Sequence, residues 1–310
     1  QEDGVTLGHR RLSILDLSEN GRQPMSYADG RYEITFNGEV YNFIEIRREL
    51  MSKGYTFKSD TDTEVIIAAF IEWGEKCLDM FNGMWTFAIW DRLEKKMFIS
   101  RDRFGIKPLY IANQGGRIAF ASEMKAIMPL LDKTDINRSL IERYLKNPHY
   151  EMQDECLVEE IKRFPAGFCA WIDASGNIEM KRWWNTLDHI VDVPAAYEEQ
   201  VEKFRELFLD SCRIRMRSDV TLGTALSGGL DSSATICAMA HIMNGADNDR
   251  VNNDWQHAFV ATFAGTPFDE TRYARQVTDH LGINSTFLNI DESVSYDELL
   301  NKTYLFEDLW

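Results

Sequence analysis

Between residues 31 and 122 the apolar positions come in short runs separated by turn signals. "RYEITF" (31–36) ends at Asn37-Gly38. "MWTFAIWD" (84–91) and "KMFISRD" (96–102) flank a reversal at "RLEKK", and "KPLYIAN" (107–113) turns at Gly115-Gly116 into "RIAFAS" (117–122). Strands this close in sequence predict antiparallel hairpins. Two stretches break the pattern with helical spacing. "NFIEIRRELMSKG" (42–54) closes on a glycine, and "DTEVIIAAFIEWG" (62–74) opens with acids and also closes on glycine, as helix ends do. The first part is therefore expected to be an α+β domain with antiparallel sheets.

The period changes after "RWWNTLDHIVDVPAA" (182–196), which has no clear repeat and reads as a linker. A long helix over about 197–217 sets Val201, Phe204, Leu207 and Phe208 on one face. The apolar strand "DVTLGTAL" then leads through a loop into the helix "SSATICAMAHIM". "HAFVATFA" (257–264) and "STFLNI" (285–290) are further strands. Between them "FDETRYARQVTDHLG" is a helix with Tyr273, Ala274, Val277 and Leu281 at helical spacing, and "SYDELLNKTYLF" is a helix after the last strand. Strand and helix in alternation predict an α/β domain on a parallel sheet. The division expected is residues 1–181, a linker over 182–196, and a second domain over 197–310.

Composition narrows the class. At 310 residues, 44% hydrophobic and 27% charged, the chain can bury two cores. No apolar run is long enough for a membrane span, and the first residues have neither the basic nor the apolar part of a signal peptide. A cytoplasmic protein is expected. The five cysteines stand apart without a CxxC pair, so zinc and a disulfide scaffold are disfavoured. A net charge of −16 disfavours nucleic acid as a partner.

The chemistry concentrates at "ALSGGLDSS" (225–233). Two glycines between a parallel strand and a helix let backbone N–H groups surround an anion at the positive end of the helix. Ser227, Ser232 and Ser233 add hydroxyls, and Asp231 can hold a magnesium ion that bridges phosphates. The GK[ST] ending of a Walker A loop and the GxGxxG pattern are both absent. A plain strand-to-helix turn with a serine N-cap is the other reading of an SGG turn.

The full string resembles the pyrophosphate-binding loop of the ATP pyrophosphatase enzymes. That resemblance implies ATP contacts at Ser227, Gly228, Gly229, Asp231, Ser232 and Ser233, with Ala225, Leu226 and Gly265 near the nucleotide, and Mg2+ at Asp231. In the first half "LGHRRLSILDLS" (7–18), "QPM" (23–25), "FNGEVYNF" (36–43), "SDTDTEV" (59–65), "NGMWTFAIWD" (82–91), "RDRFGIKPLY" (101–110) and "FASEMKAI" (120–127) follow in order. Together they resemble the glutaminase domain of glutamine-hydrolysing asparagine synthetases, an N-terminal-nucleophile hydrolase fold.

The resemblance implies a glutamine site. Arg11 would fork onto the α-carboxylate, and Asp62 would pair with the α-ammonium. The Asn37 side chain and the Gly38 backbone N–H would form the oxyanion hole. Leu12, Ser13, Ile14, Leu15 and Glu39 would complete the pocket. Taken singly, Arg11 also reads as a surface ion-pair residue, Asn37-Gly38 as a turn, and Asp62 as a helix cap. The family's nucleophile is an N-terminal cysteine, and its synthetase domain has a second Gly/Ser/Asp-rich loop. Both are expected outside Gln1–Trp310, and the residues present are expected to lack glutaminase activity by themselves.

The expected activity is a carbon–nitrogen ligase taking glutamine, aspartate and ATP, with a homodimer implied by the family. A related ligase with another acid, similar to β-lactam synthetases or polysaccharide-modifying amidotransferases, is the alternative within the family. A non-catalytic two-domain binding protein is the alternative outside it. Other features read as structure: "RIRMR" (213–217) as a solvated helix end, the tryptophans as core and interface aromatics, and Cys212 and Cys237 as buried inert thiols.

Overall fold

Strand pairing in the first half follows the hairpins expected from the apolar runs. The computed structural model describes residues 4–147, 154–245, 249–290 and 295–307. Strands β1 (Met25–Tyr27), β2 (Tyr32–Val40), β3 (Gly83–Asp91) and β4 (Lys96–Arg101) are neighbours in one sheet. Helices α1 (Phe43–Ser52), α2 (Asp62–Trp73) and α3 (Cys77–Met80) lie between β2 and β3 in sequence. β5 (Tyr110–Gln114) and β6 (Arg117–Ala121) form the second hairpin, followed by α4 (Met124–Ile127) and α5 (Arg138–Lys146). β7 (Lys162–Arg163) pairs with β5, while β8 (Phe168–Asp173) and β9 (Ile178–Arg182) extend the first sheet to the order β1-β2-β3-β4-β8-β9.

Every pairing in these two sheets is antiparallel. The larger sheet is covered on both faces, which explains why β3 is buried without interruption from Trp85 to Asp91. Ala88 and Trp90 join Ile99, Leu109, Ile111 and Phe164 in one core cluster. Phe98 instead stacks on Phe70 of α2, with ring centroids 4.9 Å apart. α2 is apolar around most of its circumference and is buried from Asp62 to Phe70. Thr61 is its N-cap, accepting from the Glu64 N–H at 3.3 Å, and Asp62 is the first helical residue.

One sequence expectation changes here. Asn37-Gly38 does not end a strand; β2 continues to Val40, paired with β3 from Tyr32↔Asp91 to Val40↔Gly83. A Cβ on Gly38 would sit 2.1 Å from the Met84 carbonyl oxygen and 2.7 Å from the Trp85 Cα. The glycine is needed for the close approach of the two strands, not for a turn.

The remaining elements are α6 (Tyr197–Arg215), β10 (Gly223–Ala225), α7 (Leu230–Met243), β11 (His257–Thr262), α8 (Thr271–Leu281), β12 (Asn284–Asn289) and α9 (Tyr296–Phe306). β10, β11 and β12 pair in parallel, in that order. Leu226, Ile236, Ala258, Val260 and Ala274 form their core, with Val277, Leu281 and Phe287 against it. The fold is thus an antiparallel α+β part followed by a parallel α/β part.

The chain divides into two units, the first containing residues up to Leu12, Ser18–Ile190 and those from Ser295, the second Ser13–Leu17 and Val191–Val294. Two short segments therefore lie in the unit away from their sequence neighbours: Ser13–Leu17 and the segment carrying α9.

Three structural readings are corrected. Cys237 is exposed, whereas Cys77, Cys156, Cys169 and Cys212 are buried. α7 carries apolar side chains around its whole circumference, so an apolar neighbourhood does not mark its inner side; Ile236, Ala238 and Met239 do. "RIRMR" is not a solvated end, because α6 stops at Arg215 and Met216 and Arg217 are buried where the chain turns inward. On α6 itself Cys212 and Ile214 are buried, while Val201, Phe204 and Leu207 are exposed.

Candidate functional site

The position of Gly38 follows from its partner strand. Gly38 is opposite Trp85. The Trp85 N–H donates to Asp102 Oδ2 at 3.1 Å, and the Trp85 carbonyl accepts from the Asp102 N–H at 2.9 Å. Both backbone groups of Trp85 thus turn away from β2, which makes Gly38↔Trp85 a pair without mutual hydrogen bonds. The Gly38 N–H points to the opposite edge of β2. Phe36 and Val40, two residues to either side, point the same way, and both are tied down. The Phe36 N–H donates to Gln23 Oε1 at 2.7 Å, and the Val40 N–H donates to Asp62 Oδ2 at 3.0 Å. Between these two bonds the Gly38 N–H is presented at the strand edge.

Asn37 and Glu39 share the other face parity of β2. Asn37 donates through Nδ2 to Ser122 Oγ at 3.1 Å, which leaves its second amide hydrogen for another acceptor. Burial pushes the Glu39 carboxyl up to about 7, the nearby Asp62 charge adding to the rise and Lys107 opposing it. Asp62 is itself buried. The structure therefore brings Asn37, Gly38, Glu39 and Asp62 to one place on β2 and the start of α2.

Arg11 belongs to the same unit. Its Nη1 donates to the Ser18 carbonyl at 3.0 Å, and its guanidinium lies on Gly21, where an added Cβ would fall 2.0 Å from Nη2. Leu12 is 84% exposed. Ser13, Ile14 and Leu15 belong to the second unit, where the Ile14 carbonyl accepts from the Asp219 N–H at 3.1 Å.

Sequence reasoning gave Asp102 no role, although its motif was visible. It is completely buried and organises the following loop. Oδ1 accepts from the N–H groups of Phe104 and Ile106, and Oδ2 from those of Trp85 and Lys107, each at 3.0–3.1 Å. Arg101 closes the loop from the other side through the carbonyls of Lys107 and Gly105 at 2.8 and 2.7 Å. An aspartate at a strand end three residues before a glycine is the local signal for such a loop.

In the second unit the loop after β10 is shaped by Gly228. Its φ is +86°, and an added Cβ would fall 2.6 Å from the Ala274 nitrogen of α8. Gly229, not a serine, is the N-cap of α7. Ser227 Oγ accepts from the Gly229 N–H at 3.1 Å and lies 3.1 Å from Ser232 Oγ. The Ser233 N–H makes the first helical bond, to the Gly229 carbonyl at 3.1 Å. The N–H groups of Leu230, Asp231 and Ser232 precede that bond and open the helix dipole at the loop. Leu226 is buried, Ala225 and Asp231 are exposed, and Gly265 stands in the turn after β11 with φ +82°.

This loop fits a phosphate group. Among the described residues no cluster of three or more His, Cys, Asp or Glu could hold a metal by itself. One exposed carboxylate in the first turn of α7 suits a magnesium ion carried by phosphates and water. Among the described residues no helix is long and apolar enough to cross a membrane.

Comparisons with known proteins match different families to successive parts of the chain. A glutamine amidotransferase domain model matches residues 1–184, and an asparagine synthase model matches residues 203–308. "Asparagine synthetase [glutamine-hydrolyzing] 1" of Bacillus subtilis (strain 168) is 34% identical over 301 residues, 97% of this chain and 45% of the relative. "Asparagine synthetase [glutamine-hydrolyzing] 3" of the same organism is 35% identical over 244 residues, 77% of this chain and 39% of the relative. "Amidase chry2" of Gibberella zeae is 26% identical over 310 residues, 98% of this chain and 46% of the relative. The chain spans less than half the length of these relatives. With amidotransferase and synthase models matching successive parts of it, the chain belongs to the glutamine-hydrolysing asparagine synthetase family.

Proposed function

We propose that the chain is part of an ATP-dependent amidotransferase that makes asparagine from aspartate with glutamine as nitrogen donor. The observation that carries the glutaminase half is the outward N–H of Gly38 beside Asn37, fixed by Asp102 behind it and flanked by the bonds of Gln23 and Asp62. Two such donors suit the oxyanion of a tetrahedral intermediate. Glu39 and Asp62 together suit the α-ammonium of glutamine, and Arg11 its α-carboxylate. Water converts the amide to glutamate and ammonia in this half of the reaction.

In the other half, the loop 225–233 would hold the phosphates of ATP. Magnesium, held there by Asp231 and the phosphates, would neutralise charge on the leaving group. The aspartate β-carboxylate attacks the α-phosphorus and pyrophosphate leaves. Ammonia then attacks the β-aspartyl-AMP carbonyl, giving asparagine and AMP. The family's nucleophile is an N-terminal cysteine thiol. Cys77 and Cys169 are poorly suited to that role: burial pushes the Cys77 thiol far up and that of Cys169 up to about 12.

A second reading keeps both half-sites but changes the acid. The Gibberella relative bears the name of an amidase rather than an asparagine synthetase while matching nearly the whole chain. Product analysis with aspartate, against other carboxylic acids, separates the two readings.

The clamp is tested by Arg11→Ala in the complete protein. Glutamine-dependent synthesis is expected to weaken by roughly 10- to 100-fold, the worth of a charged hydrogen-bonded contact, while ammonia-dependent synthesis is retained. Equal loss of both rejects the assignment.

Glu39 adds a pH dependence. Its carboxyl is raised from 4.5 to about 7 in the folded protein. The protonated form therefore contributes stability that is complete below 4.5 and is lost as pH rises through about 7. Glutamine binding acts in the opposite sense, because an α-ammonium favours the carboxylate and expels the proton. KM for glutamine is expected to fall as pH is raised from 6 through about 7, and Glu39→Gln should flatten that slope. A KM profile unchanged by the substitution contradicts the role.

A further inference from the structure

α9 lies in the first unit although it follows β12 in sequence and falls within the asparagine synthase match. Its last turn meets α4 in a reciprocal arrangement. The Glu307 carboxylate, 10% exposed, accepts from the backbone N–H groups of Met124 and Lys125, each at 2.6 Å. These belong to the N-terminal turn of α4, whose donors have no partner within the helix. In return Lys125 Nζ reaches the Tyr304 and Leu305 carbonyls of α9 at 3.4 Å and lies 5.0 Å from the centre of the Tyr304 ring. Each helix end is completed by a side chain about 180 residues away in sequence.

Glu307 occupies an unusual place for its residue type. It is the C-cap of α9 with φ +56° and ψ +27°, in the left-handed region. α8 ends in the same conformation with Gly282, at φ +63°. Glycine adopts that conformation without steric cost, whereas glutamate does not. The carboxylate therefore stands at a backbone position that helix termination alone would give to glycine. Its two short bonds to α4 are what the side chain adds there.

The contact leads directly to the oxyanion site. Met124 is two residues after Ser122, and Ser122 Oγ accepts the Asn37 amide. β6, Ser122 and the first turn of α4 are consecutive, so fixing the start of α4 fixes Ser122. We infer that Glu307 is a positioning residue for glutamine hydrolysis, holding the Asn37 side chain in place through α4 and Ser122. The inference rests on the glutaminase reading of the Asn37–Gly38 site. It also gives the segment matched by the synthase model a hold on an oxyanion donor through α4 and Ser122.

Glu307→Gly in the complete protein is the test, because glycine suits the left-handed end of α9 while the carboxylate is removed. We expect kcat for glutamine hydrolysis to fall about tenfold, as small displacements of a catalytic donor do. KM for glutamine and ammonia-dependent synthesis should stay at wild-type values, because the clamp and the phosphate loop are untouched. Glu307→Gln, which keeps one acceptor oxygen, should show a smaller loss of the same kind. It provides the same reading if the glycine variant fails to fold. Combining Glu307→Gly with Ser122→Ala should lower kcat less than the product of the single effects, since both act on Asn37.

Unchanged glutamine kcat in a folded variant overturns the inference, as does parallel loss of glutamine- and ammonia-dependent synthesis or strict additivity with Ser122→Ala. Wild-type protein that does not hydrolyse glutamine at all is a different failure. It removes the glutaminase reading and the inference together.

Discussion

Gly38→Ala is expected to lower glutamine-dependent synthesis roughly 10²- to 10³-fold while leaving ammonia-dependent synthesis in place. The new methyl would meet backbone atoms on β3, at 2.1 Å from the Met84 carbonyl oxygen and 2.7 Å from the Trp85 Cα. Neither atom can rotate away as a side chain would. The strands must separate locally, and the outward N–H at position 38 loses its aim. Loss of one oxyanion donor costs roughly 10²–10³ in kcat, and overpacking costs about 1–3 kcal/mol of stability. The measurements are glutamine and ammonia kinetics on the complete protein, with a thermal melt to show that it folds. A folded variant with unchanged glutamine turnover contradicts the oxyanion assignment.

Gly228→Ala should produce the mirror-image defect. Its Cβ would lie 2.6 Å from the Ala274 nitrogen and 2.7 Å from the Tyr273 Cβ, at a backbone φ of +86° that side chains rarely adopt. The loop would have to move off α8, and the N–H groups at the start of α7 would no longer converge. ATP–pyrophosphate exchange is expected to fall by roughly 10²-fold or more, the scale of a misplaced catalytic group. Glutamine hydrolysis should persist, because Asn37, Gly38 and Asp62 are unaffected. Unimpaired exchange would mean that the loop is an ordinary strand-to-helix turn. Together the two alanine variants separate the half-reactions.

Much of this was legible in the sequence, for reasons that differ by element. The hairpins β3–β4 and β5–β6 were readable because strong apolar runs surround polar turns, and α1 and α2 because glycines close them. The parallel β10–α7–β11–α8–β12 order was readable from its alternation. Strand β9 was not legible because "IEMKR" is polar and exposed from Glu179 onward, as an edge strand with little to bury. α5 was also missed, since only Leu140 of its nine residues is buried.

At the candidate site the sequence pointed to residues but not to their geometry. Asn37-Gly38 has the composition of a turn, and only the β2–β3 register shows that Gly38 is a strand residue pressed against Met84. Asp102 carries the local pattern of a loop-organising aspartate, but its link to the oxyanion strand passes through the backbone of Trp85 on another strand, which that pattern does not report. Glu307 is further removed still. Its partners, Met124 and Lys125, are 182–183 residues away, and no local pattern reports such a contact.

The central claim is that glutamine nitrogen enters an ATP-dependent amidation. It is tested most directly by incubating the complete protein with amide-15N glutamine, aspartate, ATP and magnesium, and following all products together. The account predicts 15N in the side-chain amide of asparagine, with AMP and pyrophosphate released in equal amounts to it. Formation of ADP and phosphate, an amide without label, or glutamine hydrolysis with no labelled amide would contradict it.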